Sequence, residues 1–249
     1  MSGHSHWSRI KHKKAVTDHR RGREFSKVAR VIIVAARSGG GDPSMNLSLR
    51  YAVDKARSIN MTNDAIDRAI KRGTGEGDQA RYEEVVYEGY GTHGVAIYVE
   101  GLTDNRNRTG GEVRKIFEMG GGALGGPNSV AWMFTKKGVI NVPAAAITEE
   151  ALIEVALEAG ADDVTANPDY FEVTTPPASM EAVKKVLVDK KIEVTSAEFS
   201  MIPATTVTLD AETAGKVMRL IDNLEENEDI QNVYANFDIP DEVMVQLSK

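Results

Sequence analysis

The sequence of 249 residues contains no cysteine. This absence excludes disulfide bonds, thiolate metal sites and thiol catalysis, and it is compatible with a reducing compartment. Long apolar runs are also missing, since the longest wholly aliphatic run, Val31 to Ala36, is far too short to span a bilayer. The charged N-terminus has no apolar segment followed by a cleavage site. The sequence therefore predicts a cytoplasmic protein with no membrane association.

The motifs of common enzyme classes are missing as well. No Gly-x-x-x-x-Gly-Lys-Ser/Thr sequence is present, so an NTPase is not favoured. Gly120-x-Gly122-x-x-Gly125 matches the dinucleotide fingerprint in letters, but it follows a predicted helix and precedes a predicted strand, which favours a flexible loop. His93 has no nucleophile motif near it, and no spaced set of carboxylates suggests a two-metal site. The sequence predicts no catalytic residue, no cofactor and no metal site.

What the chain does have is strongly segregated charge. The net charge is −7, yet residues 1–80 contain 16 Lys/Arg and 8 Asp/Glu, whereas residues 81–249 contain 14 and 29. An acidic protein with one basic end presents one face to a polyanion and keeps the remainder away. This pattern favours binding of nucleic acid over a basic tail that binds nothing in particular.

The first 30 residues concentrate this positive charge. They also contain one of the two tryptophans and four of the five histidines, His4, His6, His12 and His19. The histidines lack the spacing of a zinc hydrolase, and a phosphate-binding arm is the better interpretation. Cations beside one aromatic ring suit a polyanion whose bases offer a stacking surface. The predicted nucleic-acid contacts in this arm are Trp7, Arg9, Lys11, Lys13, Lys14, Arg20, Arg21 and Arg23.

A second candidate contact lies in Asp104-Asn105-Arg106-Asn107-Arg108-Thr109, between a predicted strand and a predicted helix. Backbone donors at a helix N-terminus and two guanidinium groups can serve one anion, which makes Arg106 and Arg108 candidate nucleic-acid contacts. In the other interpretation, the aspartate or an asparagine caps the helix and the two arginines are solvated. Both interpretations stay open at this point.

Apolar periodicity divides the chain into a helical part and a mixed part. Phe25, Val28, Ala29, Ile32, Ile33 and Ala36 follow one helical face, and two shorter helices follow, the second with Thr62 as N-cap and Gly73 just past its end. From Tyr82 onward strands alternate with helices. Trp132 with Phe134 predicts one strand, and residues 139–142 predict the next. From there to Val194 the order is βαββαβ, which is a ferredoxin-like arrangement.

These patterns predict an α+β multidomain protein in which a small helical bundle precedes two ferredoxin-like α+β domains, one inserted in the other. The predicted boundaries are residues 1–80 for the basic helical domain, 81–135 plus 203–249 for the discontinuous α+β domain, and 136–202 for the inserted domain.

Four ordered motifs resemble the YebC family over essentially the full length. They are Gly3 to His12, Asn60-Met61-Thr62, Tyr87-Glu88-Gly89-Tyr90-Gly91 and Asp104 to Thr109. The resemblance implies three domains and a cytoplasmic, probable transcriptional regulator that binds DNA. It also implies relatives that act as mitochondrial translational activators or are linked to ribosomes. His6 stands where the family often has Lys or Asn, which makes this arm less cationic at neutral pH.

Together the residues and the resemblance predict a non-enzymatic, nucleic-acid-binding regulator of gene expression, most simply a DNA-binding transcriptional regulator. A ribosome-associated translation factor that binds RNA is the alternative. Both DNA and RNA (rRNA or mRNA) stay open as the ligand, because phosphate contacts carry no sequence information. No feature of the sequence predicts an oligomeric state.

Overall fold

A computed structural model describes residues 18–75, 81–240 and 242–243, without the side chains of residues 18–21. It is a mixed α+β protein with a helical N-terminal region and β-sheets. The chain divides into two compact units, which we call unit A and unit B. Of the described residues, unit A holds 18–75, 81–131, 209–235 and 242–243, and unit B holds 132–208 and 236–240.

The helical region of unit A consists of α1 (Asp18–Gly39), α2 (Leu47–Ser58) and α3 (Asn63–Gly73). The predicted apolar face of α1 is confirmed, since Val28, Ile32, Ile33 and Ala36 are all buried in one core with α2 and α3. The predicted N-cap is also confirmed, because Thr62 Oγ1 accepts a hydrogen bond from the Ala65 N–H.

Gly73 ends α3 rather than following it, and its role differs from that of a left-handed cap. A Cβ at Gly73 would lie 2.5 Å from the Ile33 carbonyl oxygen and 2.7 Å from the Ala36 Cβ. The missing side chain therefore allows α3 to pack closely against α1.

Unit A also contains a four-stranded antiparallel sheet of order β3-β1-β2-β9. Two helices, α4 and α7, contact each other and the sheet. They bury Val113 and Phe117 of α4 and Val217 and Leu220 of α7. The bounds are β1 (Glu83–Tyr90), β2 (Ala96–Thr103), α4 (Arg106–Met119), β3 (Ala123–Leu124), α7 (Ala211–Glu226) and β9 (Ile230–Ala235).

Unit B has a second four-stranded antiparallel sheet, of order β5-β6-β4-β7, and a short parallel pair, β8 with β10. Two helices, α5 and α6, cover one face with Leu152, Met180 and Leu187. The bounds are β4 (Phe134–Pro143), α5 (Glu149–Glu158), β5 (Asp163–Ala166), β6 (Tyr170–Thr175), α6 (Met180–Asp189), β7 (Ser196–Pro203), β8 (Val207–Thr208) and β10 (Phe237–Asp238).

The prediction of two separate strands around Trp132–Phe134 and residues 139–142 is wrong. Both stretches were assigned to strands by their apolar residues, but β4 is one continuous strand from Phe134 to Pro143. Trp132 lies in a short 3-10 turn before it and is 75% exposed. The order βαββαβ from β4 to β7 agrees with the sequence, whereas the ferredoxin-like classification and the domain boundaries stay predictions.

Candidate nucleic-acid interface

Most of the predicted arm lies outside the described residues. This applies to Trp7, Arg9, Lys11, Lys13 and Lys14. Arg20 and Arg21 lie on α1, but their side chains are not among those described. Arg23 is therefore the first predicted contact whose surroundings are known.

Three cations on one side of α1 contact the end of α7 and the residues after it. Arg23 Nη1 lies 3.9 Å from Glu226 Oε1, and Lys27 Nζ donates to the Glu225 carbonyl oxygen. Arg30 Nη1 lies 2.7 Å from Asp229 Oδ1. Cations are favourable at a helix C-terminus, where backbone carbonyls lack helical partners. These contacts join the helical region to the sheet of unit A.

Asp229 is the centre of this junction. Its carboxylate is only 5% exposed and accepts bonds at 2.6 Å from Thr109 Oγ1 and at 3.1 Å from Thr103 Oγ1. It also accepts from Arg30 and, at 2.6 Å, from Arg108 Nη2. Burial alone would raise the pKa of Asp229, but the bonds from Thr109, Arg108 and Thr103 hold it below its ordinary value. The carboxylate is thus charged and fully engaged.

Arg108 is held between two carboxylates. Its Nη2 lies 2.6 Å from Asp229 Oδ2 and 2.9 Å from Asp104 Oδ1, and these bonds raise the pKa of Arg108. Asn105 is the N-cap of α4, since its side chain accepts from the Arg108 N–H. The capping interpretation of this motif is therefore confirmed for Asn105, and the charge of Arg108 is already balanced within the protein.

Arg106 is placed differently. Its side chain is 62% exposed, and its Nε lies 3.4 Å from Glu83 Oε2. An exposed ion pair of this length is weak, so the guanidinium group can exchange partners at small cost. The structure brings Arg106 and Arg108 onto the first turn of one helix but gives them unequal freedom to bind an anion.

The Tyr87 to Gly91 motif has a structural role. Glu88 is buried, and its carboxylate accepts backbone bonds from Asn128, Val130 and Ala131 at 2.7–2.8 Å. Tyr90 Oη also donates to the Ser129 carbonyl oxygen at 2.9 Å. One carboxylate therefore fixes the loop before β4.

The Gly120–Gly125 stretch follows a helix as predicted, but it is not the predicted loop alone. It contains β3, in which Ala123 pairs with Tyr90. A Cβ at Gly122 would lie 2.5 Å from the Tyr90 carbonyl oxygen, and one at Gly120 would lie 2.8 Å from Leu220 Cδ1. Gly122 therefore allows the chain to approach the end of β1 closely, and Gly120 allows it to pack closely against α7.

A surface cleft beside Asp229 has a volume of about 290 Å³. Four carboxylates and two arginines line it together with one asparagine. Its net charge is therefore negative, which opposes binding of a phosphate group. The lining residues are Arg30, Asp104, Arg108, Glu112, Asn227, Glu228 and Asp229.

A larger cavity, of about 510 Å³, was not predicted from the sequence. Arg37 near the end of α1, Arg72 at the end of α3, and Arg81 before β1 all line it. The three arginines are separated by up to 44 positions and share no motif. The only signal in the sequence was their common location in or next to the basic first third of the chain.

Within the described ranges, no group of three His, Asp or Glu side chains is arranged to hold a metal ion. The helices of the described part of the chain include none that is long and apolar enough to cross a membrane.

Comparison with known proteins gives consistent matches. Residues 5–76 match the family described as TACO1/YebC protein N-terminal domain, and residues 82–237 match TACO1/YebC second and third domain. A protein of Rubrobacter xylanophilus is 55% identical over all of both chains, and one of Persephonella marina is 52% identical over all of both chains. Each is named a probable transcriptional regulatory protein. The crystal structure of a conserved hypothetical protein from Aquifex aeolicus matches with a TM-score of 0.85 and 46% identity, covering 94% of this chain and 97% of that one.

Proposed function

We propose, because this chain belongs to the TACO1/YebC family, that it is a non-enzymatic regulator of gene expression that binds nucleic acid. The names of its relatives favour regulation of transcription, and hence DNA as the ligand. The observation that carries the proposal is the segregated charge, with twice as many Lys/Arg as Asp/Glu in residues 1–80 and the reverse balance after them. Such a field attracts a polyanion to one part of the molecule.

We assign the principal contacts to the basic arm. In this assignment Trp7 stacks on a base, and the phosphates are bound by Arg9, Lys11, Lys13, Lys14, Arg20 and Arg21. Arg106 is a further candidate because it is exposed and weakly paired. Arg23 and Arg108 have carboxylate partners within the protein, so their proposed contribution is to position the helices that carry the contacts.

The domain organisation belongs to the same proposal. The strand order β5-β6-β4-β7 with the element order βαββαβ supports a ferredoxin-like unit B. The sheet of unit A is completed by β9, which follows residues 132–208 of unit B in sequence, and this supports an inserted arrangement.

The test is the salt dependence of binding. Lys11→Ala/Lys13→Ala/Lys14→Ala should weaken binding to duplexes of any sequence and lower the slope of log K against log salt by about 0.9 for each lost phosphate contact. The matched control is Lys115→Ala/Lys185→Ala/Lys190→Ala, which removes three exposed lysines outside residues 1–80. Equal slopes for the wild type and the arm variant would contradict the assignment.

The alternative, a ribosome-associated factor, predicts a different bound nucleic acid. Crosslinking in cells followed by sequencing of the bound nucleic acid should recover DNA if the protein regulates transcription. Recovery of rRNA or mRNA, together with co-sedimentation with ribosomes, would replace the DNA proposal.

A further inference from the structure

The arginine-lined cavity of unit A has a basic lining among the residues that the structure describes. Its described lining consists of Arg37, Arg81, Tyr82 and the segment from Arg72 to Gly75, and it contains three positive charges and no carboxylate. Four carboxylates and two arginines line the neighbouring cleft around Asp229, so the described linings of this cleft and of the cavity have opposite net charge. A concave site of one sign concentrates the field and raises the local concentration of its counterion.

Helix capping explains part of this cluster but not all of it. Arg37 and Arg72 lie in the last turns of α1 and α3, where a cation interacts favourably with the helix dipole. Arg81 lies on no helix, so the dipole offers no reason for its position. Within the described ranges, neither Arg72 nor Arg81 forms an ion pair. The helix dipole therefore accounts for the positions of two of the three arginines and not for the third.

Packing holds the arginines at a common site. The absence of a side chain at Gly73 allows α3 to approach α1, and this brings Arg72 near the end of the helix that carries Arg37. Tyr82 also lines the cavity, and its ring lies 5.5 Å from the guanidinium carbon of Arg30, a residue that is paired with Asp229. The cavity thus sits between elements fixed by the core and by the Asp229 junction.

We infer that this cavity binds a phosphate group of the nucleic-acid backbone through Arg72 and Arg81, with Arg37 contributing to the field. The inference rests on the proposed function and adds a contact site that is separate in sequence from the basic arm. Guanidinium groups suit phosphate because their donors match two phosphate oxygens at once. The volume of about 510 Å³ is larger than one phosphate needs, so it admits the adjoining sugar as well.

The test uses the full chain and the variant Arg72→Gln/Arg81→Gln, which removes both charges and keeps a polar side chain at each position. For two lost contacts, the salt slope of binding should fall by about 1.8 on duplex DNA or about 1.4 on single strands. The matched control is Arg114→Gln/Lys115→Gln, which removes two exposed charges on α4 outside the cavity. Thermal unfolding shows whether each variant is folded, and Arg81→Gln alone replaces the double variant if α3 is disturbed.

Three results would overturn the inference, and they are distinguishable. If the wild type binds nucleic acid and the Arg72→Gln/Arg81→Gln variant has the same salt slope, the cavity is not a phosphate site and the proposed function stands. If the wild type binds no nucleic acid, both fall. If titration with pyrophosphate shows binding that depends on Arg72 and Arg81 while the nucleic-acid slope is unchanged, the ligand is a free phosphate compound instead.

Discussion

Asp229 is the residue on which four side-chain hydrogen bonds from distant parts of unit A converge. It is one buried carboxylate that accepts from two threonines and two arginines, one arginine on α1 and the other on α4. Sequence reasoning considered Arg108 without Asp229, because residues 30, 108 and 229 meet only after the sheet has formed. Local motifs predict caps such as Asn105, but they do not predict partners more than a hundred residues away.

Replacing this carboxylate should destabilise the protein. Asp229→Asn leaves Arg30 and Arg108 without their shared anion, and loss of one partner of a buried ion pair costs about 3 kcal/mol or more. Asp104→Asn is the matched control, since it removes the exposed partner of the same arginine, and an exposed pair contributes at most about 1 kcal/mol. Urea denaturation measures both, and equal losses would contradict a central role for Asp229.

The pH dependence of this site follows from the sign of the pKa shift. The pKa of Asp229 is lower in the folded protein than the ordinary value of 3.8. Its stabilisation is therefore complete above that ordinary value and disappears as the pH falls through the lowered pKa. In acid titrations the free-energy difference between wild type and Asp229→Asn should shrink, and a difference that stays constant down to about pH 2 would contradict this mechanism.

The pKa of Glu172 in unit B is shifted in the opposite direction to that of Asp229. Burial raises its pKa to about 7, and the carboxylate of Glu198 adds to the rise. Because an unfolded Glu titrates near pH 4.3, the folded state binds the extra proton between about pH 4.3 and 7, and stability falls as the pH rises through that window.

Glu172→Gln should therefore gain stability relative to wild type as the pH rises from 5 to 8, by up to about 3 kcal/mol. The exposed Glu158→Gln is the matched control and should follow the wild type. Denaturation at the two pH values gives the comparison. A constant difference between Glu172→Gln and wild type would show that burial of this carboxyl does not limit stability at neutral pH.

At the scale of elements, the sequence predicts helices better than strands. The apolar face of α1 and the Thr62 cap are local patterns, and both are confirmed. Strand β1 was not predicted because one of its inward positions is Glu88, whose partners are backbone groups 40 or more residues away. The strand predicted at Trp132 was wrong because large aromatic residues are common in strands, whereas Trp132 lies in the turn before β4.

Gly73 shows how packing decides an element's sequence. Gly73→Ala should destabilise the helical region, because its Cβ would lie 2.5 Å from the Ile33 carbonyl oxygen. Gly111→Ala, in the middle of α4 where a Cβ meets nothing within 4 Å, should instead stabilise by about 0.5–1 kcal/mol. Thermal unfolding of the two variants should shift in opposite directions, and a shift of the same sign would contradict the packing argument.

For the whole molecule, charge segregation was visible in the sequence, whereas the cavity of unit A was not. The net charge of a segment follows from its composition without a structure, so the sequence alone predicts the sign of the partner's charge. A site made of Arg37, Arg72 and Arg81 needs the close packing of α1 and α3, which no local pattern specifies.

Unit B offers a test of the proposed organisation. Its sheet pairs only strands between residues 134 and 203, and its helices bury a core of their own. A fragment of residues 132–208 keeps this sheet and both helices and lacks only β10 of unit B. It should therefore fold alone and unfold cooperatively, as followed by circular dichroism in urea. An unstructured fragment would argue against an independently folding insert.

Because β2 pairs with β9, the sheet of unit A can be completed only late in translation. Ile97 pairs with Ala235, and all of unit B between residues 132 and 208 is translated between them. At about 5–20 residues per second, translation of the roughly 140 intervening residues takes on the order of ten seconds. During that interval β2 has β1 on one edge and an open edge on the other. The nascent chain thus carries an incomplete sheet while unit B is synthesised, and closure waits for one late strand.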